Sequence, residues 1–127
     1  MKRRSLQPEP VPVSPEDTLC KALLSLDTLP QMRALLRDLC TPAELEALTD
    51  RWRVVPYLLE ELPYREIHDR TAVSITTIGR VARCLNTGNG GYMGVIAAQR
   101  RAAINRKASR NATRGATTKL AQSKASK

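Results

Sequence analysis

The sequence predicts an all-α protein with one small domain. A chain of 127 residues can build one hydrophobic core at most. Aromatic residues make up 3% of it and phenylalanine is absent, so leucine, valine, isoleucine and alanine must supply that core. Helix-start signals, each a serine or threonine with a proline close behind it, precede stretches in which apolar residues recur every three or four positions. This pattern favours packed helices over a β-sandwich.

The N-terminal part of the chain predicts an extended arm and two helices. Residues 1–13 contain three prolines among charges, which is typical of a disordered arm. A first helix should begin at Ser14, because Pro15 and two acidic residues follow it. A second should begin at Thr28 and end near Cys40. The apolar residues at helical spacing are Leu19, Ala22, Leu23 and Leu26 in the first helix, and Met32, Leu35, Leu36 and Leu39, expected to face inward, in the second.

A long helix is predicted to begin at Thr41. The threonine hydroxyl can accept from the amide three residues later, while the Glu44 carboxylate can accept from the threonine amide. A single apolar stripe then follows, made of Leu45, Leu48, Trp52, Val55 and Leu59. Pro56 removes one backbone hydrogen bond, at a cost of about 3 kcal/mol unless packing compensates, so we expect a bend there.

Residues 63–85 have the layout of a helix-turn-helix. About two helical turns over residues 64–70 precede a turn at residues 71–73, and Ser74 can cap the second helix. Apolar residues occupy one face of that helix, which leaves Thr76, Thr77, Arg80 and Arg83 on other faces. Threonine and arginine can bind base edges and phosphates. By periodicity alone, an ordinary amphipathic helical hairpin fits nearly as well.

The C-terminal part predicts a connector, a last helix and a tail. The glycine-rich residues 86–91 have neither a preceding strand nor a following Lys-Ser/Thr pair, so we interpret them as a connector and not as a phosphate-binding loop. A helix over residues 92–105 follows, and residues 106–127 are expected to be a disordered basic tail. The predicted helical domain therefore covers residues 14–105.

Positive charge is concentrated in the second half of the chain. Residues 1–69 carry 9 bases and 12 acids, whereas residues 70–127 carry 12 bases and no acid. This asymmetry predicts a polyanionic partner, and it favours nucleic acid over a merely solubilising tail. A membrane surface is a poorer partner, because Leu120 is the only sizeable apolar residue after Ile104.

Other classes of function find little support in the composition. Three cysteines without CxxC spacing and a single histidine, His68, predict no disulfide framework, metal site, cofactor or catalytic triad. Carboxylate pairs such as Glu60 and Glu61 lie on predicted exposed faces, so we expect no enzyme. Without an apolar run of about 18 residues or a signal peptide, the protein is expected to be cytoplasmic.

Three sequence motifs occur in this chain in the same order as in a known protein family. Residues 39–48 are similar to an LxTPxExEAL helix start, residues 64–67 and 74–81 to the two helices of a DNA-reading head, and residues 83–92 to an RCLNxGxxGY run. These motifs resemble the tryptophan operon repressor superfamily and, through the last of them, its YerC/YecD-type branch. The resemblance implies a TrpR-like helix bundle that forms an intertwined homodimer, with the N-terminal helices of both chains sharing a core.

Helix-turn-helix layout and resemblance together predict contacts with double-stranded DNA. The candidate DNA-contacting residues are Arg65, Ser74, Ile75, Thr76, Thr77, Arg80 and Arg83. Three residues of the reading head depart from the family pattern: Pro63 occupies a usual capping position, Ala72 stands where the family turn has glycine, and Gly79 stands inside the recognition helix where a side chain is usual. Gly79 costs about 1 kcal/mol of helix propensity relative to alanine and weakens one carried-over DNA contact.

The resemblance also implies a ligand pocket. Family members that bind tryptophan hold it between two arginines, which match Arg51 and Arg80 here, beside a threonine that matches Thr41. Val81 replaces the family's glycine after the second arginine, and Cys84 replaces a serine that meets the ligand amine. Thiols are weak hydrogen-bond partners, so we expect a vestigial pocket at Thr41, Arg51, Arg80 and Cys84 and no amino-acid corepressor.

Two hypotheses about function remain open at this point. The first is a sequence-specific DNA-binding transcriptional regulator, expected to be a repressor, whose dimer holds two recognition helices about 34 Å apart. The alternative is a nucleoid-associated or RNA-binding protein without sequence specificity, driven by the basic tail. Binding measured at physiological salt separates the two hypotheses. The regulator should bind one selected duplex far more tightly than random duplex, whereas the protein without sequence specificity should not.

Overall fold

Helices make up all the regular structure of the described part of the chain. A computed structural model describes residues 6–10 and 13–125, with side chains as far as residue 115. The helices are α1 (Pro15–Leu24), α2 (Leu29–Leu39), α3 (Pro42–Arg53), α4 (Val55–Leu59), α5 (Tyr64–Thr71), α6 (Ile75–Thr87) and α7 (Gly91–Ala125). The predicted all-α class is confirmed. None of the described helices is long and apolar enough to cross a membrane.

The chain divides into two compact units, residues 1–49 and residues 50–127. The first unit holds α1, α2 and most of α3, and the second holds the rest. The predicted domain limits at residues 14 and 105, and a disordered arm over residues 1–13, stay predictions. Residues 1–5 and 11–12 of that arm lie outside the described part of the chain.

Capping interactions begin the helices of the first unit where the sequence predicts. At α2 the Gln31 amide donates to the Thr28 hydroxyl at 3.3 Å, and the Gln31 side chain accepts from the Thr28 amide at 3.3 Å. At α3 the Glu44 amide donates to the Thr41 hydroxyl at 3.1 Å, and the Thr41 amide donates to the Glu44 carboxylate at 2.8 Å. The Ser14 side chain makes no such bond, although α1 begins directly after it.

The first unit has no fully buried side chain among its described residues. Leu23, Leu26, Met32, Leu35 and Leu36 are half-buried, whereas Leu39 is 52% exposed. The predicted inward placement of Leu39 is therefore wrong within one chain. Among the described residues of one copy, about half of its surface stays exposed.

The bend predicted at Pro56 appears as a one-residue interruption between two helices. α3 ends at Arg53 and α4 begins at Val55, with Val54 between them at φ −83° and ψ −11°. Since proline has no N–H, Pro56 cannot donate to the carbonyl of Trp52 four residues earlier. The predicted stripe is buried only in part, because Val55 is buried whereas Leu48, Trp52 and Leu59 are exposed.

The core of the molecule lies in the second unit. It is formed by Val54, Val55, Ile67, Val73, Ile78, Val81 and Ile96, with Tyr57, Leu58, Leu62, Leu85 and Tyr92 packed against it. These residues come from α4, α5, α6, the first turns of α7 and the segments between them. The predicted apolar face of the second reading-head helix is confirmed at Ile78, Val81 and Ala82, all of which are buried.

The last helix is much longer than the sequence predicts. α7 runs from Gly91 to Ala125, so the predicted helix end near residue 105 is wrong, whereas the disorder predicted for the basic tail stays a prediction. Residues 126–127 lie outside the described part. The segment is rich in alanine, arginine and lysine and contains no proline, which favours a helix. Because no apolar stripe runs along it, periodicity could not reveal it.

Candidate nucleic-acid interface

A tight three-residue turn joins α5 to α6. Ala72 ends α5 in the left-handed region, at φ 62° and ψ 8°, and its amide donates to the His68 carbonyl at 2.8 Å. Val73 is buried, and Ser74 begins α6. Ile67 of α5 and Ile78 of α6 are both fully buried in the core. This arrangement is the geometry of a helix-turn-helix.

Side chains brace this turn from several directions. The Thr71 hydroxyl donates to the Ile67 carbonyl at 2.7 Å and accepts from the Val73 amide at 3.2 Å. An Arg53 guanidinium nitrogen donates to the Thr71 carbonyl at 3.1 Å. His68 Nδ1 lies 2.7 Å from the Val73 carbonyl, so that nitrogen carries the proton in the bond. The orientation of α6 is therefore set by buried and half-buried contacts.

Polar side chains gather at the N-terminal end of α6. The Thr77 amide donates to the Ser74 hydroxyl at 3.1 Å, which caps the helix as predicted. The Ser74 and Thr77 hydroxyls also bond to each other at 2.9 Å. Ile75 and Thr76 are exposed, whereas Thr77 is half-buried. The amide and the hydroxyl of Thr77 therefore both bond to the capping residue Ser74.

The basic residues of the reading head divide into two groups. Arg70 is bound in place, because it pairs with Glu66 at 2.6 Å and its guanidinium carbon lies 5.9 Å from the centre of the Tyr57 ring. Arg65, Arg80 and Arg83 are exposed. No acidic residue follows Asp69 in the sequence, so α6 carries positive charge without carboxylates.

A shallow groove runs along the exposed side of α6. Its lining residues are Arg80, Arg83, Cys84, Thr87 and Gly88. Of the predicted DNA-contacting residues, the structure brings Arg80 and Arg83 together here. Ser74, Ile75 and Thr76 lie at the other end of the same helix, and Arg65 lies in the first turn of α5.

The residues of the predicted vestigial pocket have other surroundings. Thr41 caps α3 in the first unit, whereas Arg51, Arg80 and Cys84 belong to the second. Arg80 and Cys84 share the groove on α6. Val81 was expected beside a ligand slot, but it is fully buried in the core. Its side chain therefore packs α6 onto the rest of the second unit.

An aromatic pair that the sequence does not predict lies near Cys84. The rings of Trp52 and Tyr92 are stacked, with their centres 6.0 Å apart and their planes at 9°. Together with Cys84 and Val95 they line an open, mainly apolar cavity of about 450 Å³. Trp52 is 39% exposed. No sequence signal pairs two aromatic residues that are forty positions apart, because their contact depends on the tertiary fold.

Metal ligation has no candidate in the described residues. No group of three or more His, Cys, Asp or Glu side chains there is placed to hold an ion. Cys20 is exposed, and Cys40 and Cys84 are half-buried, all three as free thiols.

Comparisons with known proteins agree with this geometry. Residues 16–100 match the family model described as Trp repressor protein. Over 76 residues the chain is 41% identical to the Bacillus subtilis (strain 168) protein named Uncharacterized protein YerC, an alignment that covers 60% of this chain and 73% of that protein. A crystal structure described as a TrpR like protein from Eubacterium eligens ATCC 27750 superposes with a TM-score of 0.61 at 37% identity, covering 65% of this chain and 86% of that one.

Proposed function

The chain belongs to the Trp repressor family, and on that premise we propose that it is a DNA-binding transcriptional regulator that reads a specific duplex sequence through α6. One observation carries the proposal: α6 is a capped helix held on a braced turn, and its exposed side presents threonine and arginine side chains without carboxylates. Such a helix fits the major groove, where these side chains can bind base edges.

The reading residues differ in the roles we assign to them. Ile75 and Thr76 lie in the first turn of α6, the end that contacts base edges in helix-turn-helix proteins. Arg80 lies further along the helix, where a guanidinium can bind guanine or phosphate, and Arg83 lies one turn beyond it. Arg65 and Ser74 are proposed to bind phosphates and set the register of the head on the duplex.

Two copies of the chain are proposed to act together as a homodimer. The absence of any fully buried side chain among the described residues of the first unit supports this, because a half-buried leucine layer needs further cover to form a core. A dimer of this kind presents two copies of α6 to successive turns of the duplex, about 34 Å apart. We further propose that the protein works in the cytoplasm as a repressor and without catalysis.

Binding isotherms on a selected and a scrambled duplex test the proposal. Arg80→Ala should weaken binding to the selected duplex by about 1–3 kcal/mol and change binding to the scrambled one little. Arg33→Ala is the matched control, since it removes an exposed arginine from α2 in the first unit and should leave selectivity unchanged. Thr77→Ala is a less specific probe, because it also removes the hydroxyl that bonds to Ser74.

The same isotherms decide between the two functions left open by the sequence. If the wild-type chain binds every duplex equally at physiological salt, it is a binder without sequence specificity. If Arg80→Ala leaves the preference for the selected duplex intact, α6 does not read the sequence. Either result contradicts the proposal.

Regulation is proposed to be independent of tryptophan. Cys84 offers a thiol in place of a hydroxyl, and Thr41 already uses its hydroxyl to cap α3. L-Tryptophan should therefore leave the affinity for the selected duplex unchanged, and calorimetry should detect no binding at micromolar concentrations. Cys84→Ser is the informative variant: if it alone gains tryptophan binding, the cysteine is the reason for the loss, whereas binding by the wild-type chain contradicts the proposal.

A further inference from the structure

Most of α7 lies beyond the part of the chain that matches the family. That match ends at residue 100, whereas α7 continues to Ala125. Residues 100–127 hold nine lysines and arginines and no acid. This basic extension, residues 100–125 of α7, is therefore an addition to the family's reading head.

The side chains of the extension are exposed as far as residue 115, the last residue whose side chain is described. Among the described side chains of α7, Ile96 is the last that is buried, and residues 98–115 are exposed throughout. Ile104 is the only large apolar side chain among those residues, and it is 66% exposed. A helix that is polar all round is stabilised by packing against something else or by opposite charges along its length. The extension contains no carboxylate, so opposite charges along its length cannot stabilise it.

Four of its bases share one face. Arg100, Lys107, Arg110 and Arg114 are spaced so that, at 3.6 residues per turn, they fall within about 80° of arc along about 21 Å of helix. We call these four residues the basic stripe. Lys107, Arg110 and Arg114 line a common concavity with Ala103 and Asn111. DNA carries one negative charge per about 1.7 Å of its axis, so a stripe of this length can meet several phosphates.

Like charges within the extension oppose its helical state. Arg106 and Arg110, and Arg110 and Arg114, are four residues apart, and Lys107 and Arg110 are three apart. Positive pairs at these spacings destabilise a helix. A polyanion along the stripe removes this repulsion, and helix content should therefore rise when one binds.

We propose that the basic stripe binds the phosphate backbone of duplex DNA that flanks the site contacted by α6, and that this contact stabilises the helical extension. The proposal rests on the proposed function for the choice of duplex. Single strands are recognised by stacking on aromatic side chains, and none follows Tyr92 in the sequence. A membrane surface needs an apolar helix face, which the two sizeable apolar residues of the extension, Ile104 and Leu120, do not supply.

The test uses the full chain, a short duplex that holds only the selected site, and a longer one with about ten further base pairs, roughly one helical turn, on each side. Lys107→Gln/Arg114→Gln removes two charges from the stripe, and Arg101→Gln/Arg106→Gln removes two from the same helix outside it. Glutamine keeps the helix propensity of the replaced residues.

Wild-type chain should bind the longer duplex at least about tenfold more tightly than the short one at low salt, and circular dichroism should show a gain in helix on binding. The stripe variant should lose most of that gain in affinity. Its salt slope should also fall, by up to about 0.9 for each phosphate that the variant no longer neutralises. The control variant should keep more than half of both effects.

Several results would overturn the proposal. These are equal affinity of the wild-type chain for both duplexes, equal losses in the two variants, or tighter binding at the same salt to single-stranded RNA or to anionic vesicles than to the longer duplex. Selectivity between selected and scrambled sites is a separate readout. If the chain does not prefer the selected site, the proposed function is wrong, and the effect of duplex length can still be measured on random duplexes. If affinity does not depend on duplex length, the basic-stripe proposal is wrong, and the preference for the selected site is unaffected.

Discussion

Ala72 is the most strained residue of the reading head. Its left-handed conformation costs an L-amino acid about 1–2 kcal/mol, which glycine does not incur. Both neighbours in the chain, Thr71 and Val73, are buried, so the turn cannot relax without breaking the contacts that hold α6. The strain is therefore retained by the packing around it.

Replacing Ala72 with glycine should stabilise the protein. Ala72→Gly should raise the free energy of unfolding by about 1 kcal/mol, because the relief of strain exceeds the entropy that glycine adds to the unfolded chain. Chemical denaturation measures the change. Ala98→Gly, an exposed site inside α7, is the control and should destabilise by about the same amount. A loss of stability in Ala72→Gly would mean that the turn does not need a left-handed residue.

Single residues also mark the limit of what the sequence could predict. The sequence already showed an alanine at position 72 where the family has glycine, and the structure shows a left-handed backbone at that residue. Gly79 has no packing reason to be glycine, because an added Cβ would lie 3.9 Å from Tyr64 Cε2, an ordinary contact distance. The position of Val81 could not be predicted from the sequence, because tertiary packing decides whether its side chain faces a ligand slot or the core.

Helix boundaries were predictable where their cause is local. The capping boxes at Thr28 and Thr41 use residues three positions apart, so the sequence alone carries the signal. Pro56 predicted an interruption of the helix, but the exact place where α3 ends and α4 begins depends on the contacts around it. The length of α7 was missed because its helical tendency comes from composition and not from an apolar stripe.

The capping box of α3 also carries a pH dependence. Hydrogen bonds from the Thr41 amide and, secondarily, from its hydroxyl hold the pKa of the Glu44 carboxyl below its ordinary value. A lowered pKa in the folded state contributes stability that is present above the pKa of the unfolded chain, about 4.3 for glutamate, and is lost as the pH falls through the lowered value.

Glu44→Gln should remove that contribution. Urea midpoints of the wild-type chain should fall more steeply than those of Glu44→Gln as the pH is lowered from about 5 to 3. Glu46→Gln, on the same helix but outside the capping box, should keep the wild-type slope. Parallel curves for the wild-type chain and Glu44→Gln would show that the carboxylate does not cap α3 in solution.

At the scale of the whole molecule, the two units differ in how well one chain can sustain them. The second unit has its own buried core, whereas the first has none among its described residues. Leucine spacing predicted helices in the first unit correctly, but no periodicity specifies whether the apolar side is covered by the same chain or by another. That choice depends on the area available within one copy.

Sedimentation velocity at micromolar concentration should therefore find a dimer and no folded monomer. Leu39→Glu should dissociate or unfold it, because a charge at this half-exposed leucine cannot be buried in a shared core. Leu24→Glu is the control, since Leu24 ends α1 outside the apolar stripe and is more exposed. A folded wild-type monomer would contradict the proposed assembly.

The stacked aromatic pair supplies the molecule with its own optical probe. Trp52 is the only tryptophan in the chain, so emission excited at the red edge of its absorption comes from one place, the last turn of α3 against the first turn of α7. Partial exposure of Trp52 should give a red-shifted emission spectrum. Any event that separates the two rings, whether unfolding or entry of a guest into the cavity, can then be followed in real time without attaching a dye.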